Sequence, residues 1–259
     1  MRKAAPRVAI FAAAFFALAP AFAHAQQAAA PVATSFTPAQ KAEIQSIIKS
    51  YLTTEHPEVM AEGLQNLQKK EQDDSETKSK EAIAALRDKV FHDPATPVSG
   101  NPKGDVTVVE FFDYQCGYCK MSEPGLEALL KQDKNVRVVY KEFPILGAAS
   151  VEASHASLAS IKQGKYQEFH DALMGKKDHL TSDLIYSTAK SVGIDVDRLK
   201  KDMASADVQA QVDASLKLGQ DIGVRGTPMF IINDTIFPGA MQGDQLKQAV
   251  DDARSGKKP

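Results

Sequence analysis

From residue 38 onward, apolar positions fall at helical intervals. Ile44, Ile47, Ile48, Tyr51 and Leu52 make a narrow stripe with a polar opposite face. Thr37 stands where a helix cap belongs, and Pro38 takes the first helical position, where its missing N–H costs nothing. His56-Pro57 ends this helix, because the residue before a proline is pushed out of the helical region. A second helix starts near Pro57, carries Val59, Met60, Leu64 and Leu67, and runs through the charged stretch Lys69 to Glu81, a solvated face. Ile83, Leu86 and Val90 continue it to about Phe91. Stripes this thin bury little surface by themselves, so they must pack on the main domain or on another copy of the chain. Self-association is the expectation, with a folded-back arm on a monomer as the alternative.

Asp93 to Asp105 holds three prolines and two glycines and reads as a boundary. The apolar, β-branched run Val106 to Phe112 then has the composition of a strand buried on both faces. Helical character follows over Glu123 to Lys131, and Val136 to Tyr140 reads as a second strand. Gly147 to Gly223 is almost wholly helical, with breaks near Gly164, Gly175 to Asp178 and Gly193. Met229 to Ile232 reads as a strand, Asn233-Asp234 as a tight turn, Ile236-Phe237 as its partner strand, and Asp244 to Arg254 as a last helix. The order β-α-β, helical insert, β-β-α predicts an α/β sheet with a helical subdomain.

The first residues read as an address. Arg2, Lys3 and Arg7 precede an apolar stretch from Val8 to Leu18, and Ala23-His24-Ala25 has the small-x-small pattern of a cleavage site. That stretch is shorter than the roughly 20 residues a bilayer span needs. The expectation is a signal peptide over 1–25, export through it, and a disordered linker over 26–37 rich in Ala, Gln, Pro and Thr. Loss of the leader moves the formal charge from −2 to −5, since it carries three cations and no anions. A mildly acidic chain has no basic footprint for nucleic acid.

The whole chain has two cysteines, spaced Cys116-Gly117-Tyr118-Cys119. A structural disulfide gains more by closing a long loop, so this spacing points to chemistry. Zinc would want four ligands and there is no second cysteine pair, so no metal site and no cofactor are expected. Following a buried strand and opening a helix, Cys116 meets unpaired N–H groups and a partial positive charge that favour its thiolate. Cys116 is therefore the expected nucleophile, and Cys119, one turn on and more buried, the resolving thiol.

The run Val109-Glu110-Phe111-Phe112-Asp113-Tyr114-Gln115-Cys116-Gly117-Tyr118-Cys119-Lys120 resembles the active-site strand and helix start of the DsbA-like thioredoxin superfamily. Gly223-Val224-Arg225-Gly226-Thr227-Pro228-Met229-Phe230 resembles its cis-proline loop. The resemblance implies a thioredoxin-like α/β fold with an inserted helical subdomain, behind an N-terminal α-helical extension. The expected organisation is a helical oligomerisation arm over 38–91 and a DsbA-like domain over 92–259, with its insert at about 147–222. It also implies a cis bond before Pro228, a Thr227 backbone free to pair with substrate, and a buried acid, Glu110, able to relay a proton to or from Cys119. Lys141 is the candidate partner for Glu110.

Gly117 and Tyr118, expected to face the substrate, add no positive charge to the redox pair. Together with Thr227 they are similar to the isomerase type, and with the arm the chain resembles the ScsC-like periplasmic isomerases. That implies exported proteins with disulfides or free thiols as clients, a membrane reductant of the DsbD or ScsB type, and a homo-oligomer. A DsbA-like oxidase and a copper-binding protein, the latter using the cysteine pair with Met121 nearby, remain open. Lone histidines in the insert, His155, His170 and His179, read as packed or solvent-facing; His155 and His170 are placed to approach each other.

Overall fold

The computed structural model describes residues 35–257. The expected leader and all but the last three residues of the expected linker lie outside them. Contacts divide the chain into two units meeting between Glu62 and Gly63.

In the first unit, helix α1 (Pro38–Ser50) starts on a capping box: Thr37 Oγ1 accepts the Gln40 N–H at 3.3 Å, and the Gln40 side chain accepts the Thr37 N–H at 2.9 Å. No residue of α1 is buried; Ile47 and Ile48 stand 60% and 51% exposed. A π-helical stretch (Tyr51–Glu55) follows, and the chain breaks before Pro57. Helix α2 (Glu58–Ala85) crosses the division between the units, with Met60, Leu64 and Leu67 also exposed.

The second unit is built on a five-stranded sheet of order β1-β3-β2-β4-β5, with β1 Val98–Gly100, β2 Val106–Phe112, β3 Val136–Glu142, β4 Met229–Ile232 and β5 Thr235–Pro238. The β2–β3 pair is parallel and the other pairs are antiparallel. Side chains alternate across a strand, so β2 serves two cores at once. Val106, Val108 and Phe112 face a large core shared with α4 (Gly117–Gln132), the insert and α10 (Gly243–Ser255). Val109 and Phe111 face a smaller core that takes Ile83 from α2, Val90 and Phe91 from α3 (Arg87–Phe91), and Leu218 from α9 (Ala206–Asp221). The last turns before the sheet thus bury their apolar residues under it.

The insert consists of α5 (Ala148–Ser160), α6 (Tyr166–Met174), α7 (Ser182–Ser191), α8 (Val196–Met203) and α9. Strand β1 lies within the stretch expected to be only a boundary. It is three residues long and pairs at the sheet edge, Val98 opposite Val139 and Gly100 opposite Arg137. Gly100 permits the pairing: its φ is +76°, and a Cβ there would meet Val136 O at 2.5 Å.

Helix α4 begins at Gly117, with Cys116 as its cap where the motif is expected to open a helix, and continues through Pro124. Its contact with α10 is backbone on backbone: a Cβ on Gly125 would lie 2.8 Å from Gly243 N and 3.1 Å from its Cα. Backbone cannot swing away as a side chain does. Gly125→Ala is expected to cost about 1–3 kcal/mol, read as a shifted urea midpoint with unchanged m-value.

Candidate active site

Strand β2 ends at Phe112, and the next residues turn the chain so that Cys116 caps α4. Asp113 makes this turn rigid. It is wholly buried, and its carboxylate accepts N–H bonds from Gln115 (2.7 Å), Ile145 (2.8 Å) and Leu146 (3.0 Å) and an O–H bond from Ser150 (2.7 Å). Its carbonyl accepts the Cys116 N–H at 3.0 Å. Gln115 extends the tie to the insert, its Oε1 accepting the Leu180 N–H at 2.8 Å.

Both thiols are free. Cys116 Sγ accepts the Cys119 N–H at 3.4 Å, an N-cap contact, and donates to the Thr227 carbonyl at 3.2 Å. Thr227 is joined to Pro228 by a cis peptide bond, and β4 starts at the next residue. The two motifs, far apart in the chain, therefore meet at one sulfur. Cys116 retains 6% exposure and Cys119 none. The Cys116 thiol is pushed down to about 5, first by the hydrogen bond from the Cys119 side chain, then by the Thr227 side chain and the N–H groups of Cys119 and Tyr118, against the opposing effect of burial. Cys119 moves the other way, driven up by burial first, then by Cys116 and the charge of Glu110. A thiol that ionises readily in front of one that stays protonated is an arrangement able to carry disulfide exchange.

Glu110 is wholly buried on the redox side of the sheet, opposite Tyr140 and Phe230. Neither carboxyl oxygen has a hydrogen-bond partner among the described residues. Its pKa is raised well above the usual carboxylate range, by burial first and then by Glu123, Cys116 and Glu142. Lys141 is not its partner. It stands in register with Phe111, one residue along, and so faces the opposite core. There its ammonium donates to Lys89 O and Thr96 Oγ1, both at 2.7 Å, with Asp93 at 3.7 Å.

A buried polar network beside the pair has no counterpart in the sequence reading. Tyr114 OH contacts Ser157 Oγ (2.6 Å) and His170 Nδ1 (3.0 Å), and donates to Glu142 Oε1 (3.3 Å). Glu142 also accepts from Ser154 Oγ (2.8 Å) and Tyr166 OH (3.1 Å). A signal existed: Glu142 follows Tyr140 by two on an apolar strand, so its charge falls on the buried face. His170 packs edge-on to Phe112 and stacks on Tyr166. Gly117 and Tyr118 open α4, with Tyr118 64% exposed beside the sulfur. Met121 is also exposed, whereas Cys119 is sealed. Ile145 and Leu146, held by Asp113, add to an apolar rim.

Residues 107–251 match the DSBA-like thioredoxin domain, and residues 40–73 match the copper resistance protein ScsC N-terminal domain. Among solved structures, the chain is similar to a thioredoxin-like oxidoreductase from Silicibacter pomeroyi DSS-3, at 46% identity over 65% of this chain and 98% of that one, TM-score 0.64. It is also similar to Proteus mirabilis ScsC in a transitional conformation, at 31% identity over 85% of this chain and all of that one, TM-score 0.63. Disulfide bond formation protein D of Bacillus subtilis (strain 168) is 27% identical over 173 residues, 62% of this chain and 78% of that one. The chain spans about a quarter of the length of two further curated relatives, Na(+)/H(+) antiporters NhaA of Salinispora tropica and Salinispora arenicola. No helix among the described residues is long and apolar enough to cross a membrane.

Proposed function

Because this chain belongs to the DSBA-like thioredoxin domain family, we propose that it is a periplasmic thiol-disulfide oxidoreductase acting chiefly as a protein disulfide isomerase and reductase. The observation that carries thiol-disulfide exchange is the acidified Cys116 at a helix cap, against the Thr227 carbonyl, with Cys119 sealed behind it; the isomerase direction rests on the arm. The Cys116 thiolate attacks one sulfur of a client disulfide, forming a mixed disulfide and releasing the other sulfur as a thiolate. Cys119, giving up its proton, then attacks Cys116 Sγ and frees a reduced client; or a client thiol displaces Cys116 and leaves a rearranged bond. Glu110 is the proposed proton relay for Cys119, its raised pKa bringing a carboxyl closer to thiol chemistry. The Thr227 backbone and Pro228 would hold the extended client beside the sulfur, with Gly117 and Tyr118 lining the approach.

The arm supports isomerisation. Its exposed Ile47, Ile48, Leu64 and Leu67, with the match of residues 40–73 to the ScsC N-terminal domain, favour a homo-oligomer that gathers several thiolates around one client. A membrane reductant of the DsbD or ScsB type would keep Cys116 reduced, and the leader would deliver the chain to the periplasm. The deciding experiment compares the mature chain with one starting at residue 74. The shortened chain is expected to keep insulin reductase activity and lose refolding of scrambled ribonuclease; equal refolding by both would remove the arm from the function.

One observation favours an oxidase instead. A thiolate pulled to about 5 stabilises the reduced form, which makes the disulfide more oxidising. A reduction potential near about −120 mV would select that direction.

A further inference from the structure

Beyond the redox pair, three side chains converge on the insert side of the sheet. Glu123 of α4 and His170 and Asp171 of α6 each bring one ligand atom to within 4.8 Å of the others. His170 is wholly buried and Glu123 is 6% exposed. Glu123 Oε2 and His170 Nε2 face each other at 3.5 Å, and neither has a hydrogen-bond partner among the described residues. The far ring nitrogen, Nδ1, lies 3.0 Å from the Tyr114 hydroxyl. A proton on Nδ1 given to that hydroxyl, whose own proton goes to Glu142, would leave Nε2 free to ligate. Two unpartnered ligand atoms in a buried site, one of them a carboxylate oxygen, are the geometry a bound cation would satisfy.

We propose that Glu123, His170 and Asp171 form a binding site for a divalent first-row transition cation of the zinc type. One neutral imidazole and two carboxylates make a three-ligand set that leaves a fourth position for water. The absence of sulfur from the set argues against copper(I), and the small number of oxygens against calcium or magnesium. Tyr114 orients the ring through Nδ1 as the outer partner of a metal-bound histidine does. Asp171, only partly buried, has one oxygen held by Gln167 Nε2 at 2.6 Å and is the most solvent-accessible of the three. Glu123 follows Cys119 by one turn of α4, so the cation would sit on the helix that carries both sulfurs without using either.

The test uses the mature chain with Cys116→Ser and Cys119→Ser, so that thiols bind nothing. Stripped with chelator, it is titrated with zinc against a chromogenic competitor, and with cobalt(II) followed in the visible. The expected result is one equivalent of zinc and a cobalt spectrum of nitrogen and oxygen ligands. Affinity should fall by at least about tenfold in Asp171→Asn and in Glu123→Gln. Asp171→Asn is a near-isosteric change at a partly exposed position, and circular dichroism checks that it folds. No zinc uptake, or affinity unchanged in both variants, overturns the site; so does nitrogen NMR showing a proton fixed on His170 Nε2 with zinc in excess.

Discussion

Cys116→Ser is expected to lower insulin reduction and disulfide exchange by roughly a thousandfold or more, because no other described sulfur of the redox pair reaches the surface. Cys119→Ser should behave differently. Its Cys116 still attacks and stays attached, since the resolving thiol is gone, so the variant accumulates mixed disulfides with clients that non-reducing electrophoresis displays. Equal, total inertness of both variants would count against the division of labour between a reactive Cys116 and a reserve Cys119.

The second large effect is on stability against pH. The reduced protein holds Cys116 at about 5 in place of the ordinary 9.0, a depressed value. The stabilisation is therefore full above pH 9, declines as pH falls from there, and is gone below pH 5. At pH 7 the thiolate contributes about 3 kcal/mol to the reduced fold. Denaturant melts at pH 7 and pH 4 should show a gap between reduced wild type and Cys116→Ser that narrows by about this amount on acidification. Taking the difference between the two proteins removes the other carboxylates and histidines. A gap that does not move with pH would mean an ordinary thiol at Cys116, and thiolate absorbance during the same titration would show it directly.

The fold was legible wherever burial and chemistry coincide in the sequence. Val106 to Phe112 announces a strand covered on both faces, and the Cys116–Cys119 spacing with Thr227-Pro228 marks the place where two distant segments meet. Strand β1 was not legible, because three residues between prolines and glycines carry no period, and only the edge of β3 makes them a strand. The partner of Glu110 failed for a different reason. Lys141 ends the neighbouring strand, but pairing register, invisible in one sequence, turns it to the other face. The Tyr114–Glu142–His170 network depends on three segments folding together, and only Glu142, a charge in step with apolar neighbours, hinted at it.

Asp113 binds the turn before the cysteines, the start of the insert at Ser150, and the Ile145-Leu146 rim with one carboxylate. The reactive sulfur and the helical subdomain consequently share an anchor point. Under the proposed function, a client resting on that rim would be measured off at a constant offset from Cys116, and the insert would serve as a gauge for where a disulfide is offered, in contrast to a flap that opens and shuts.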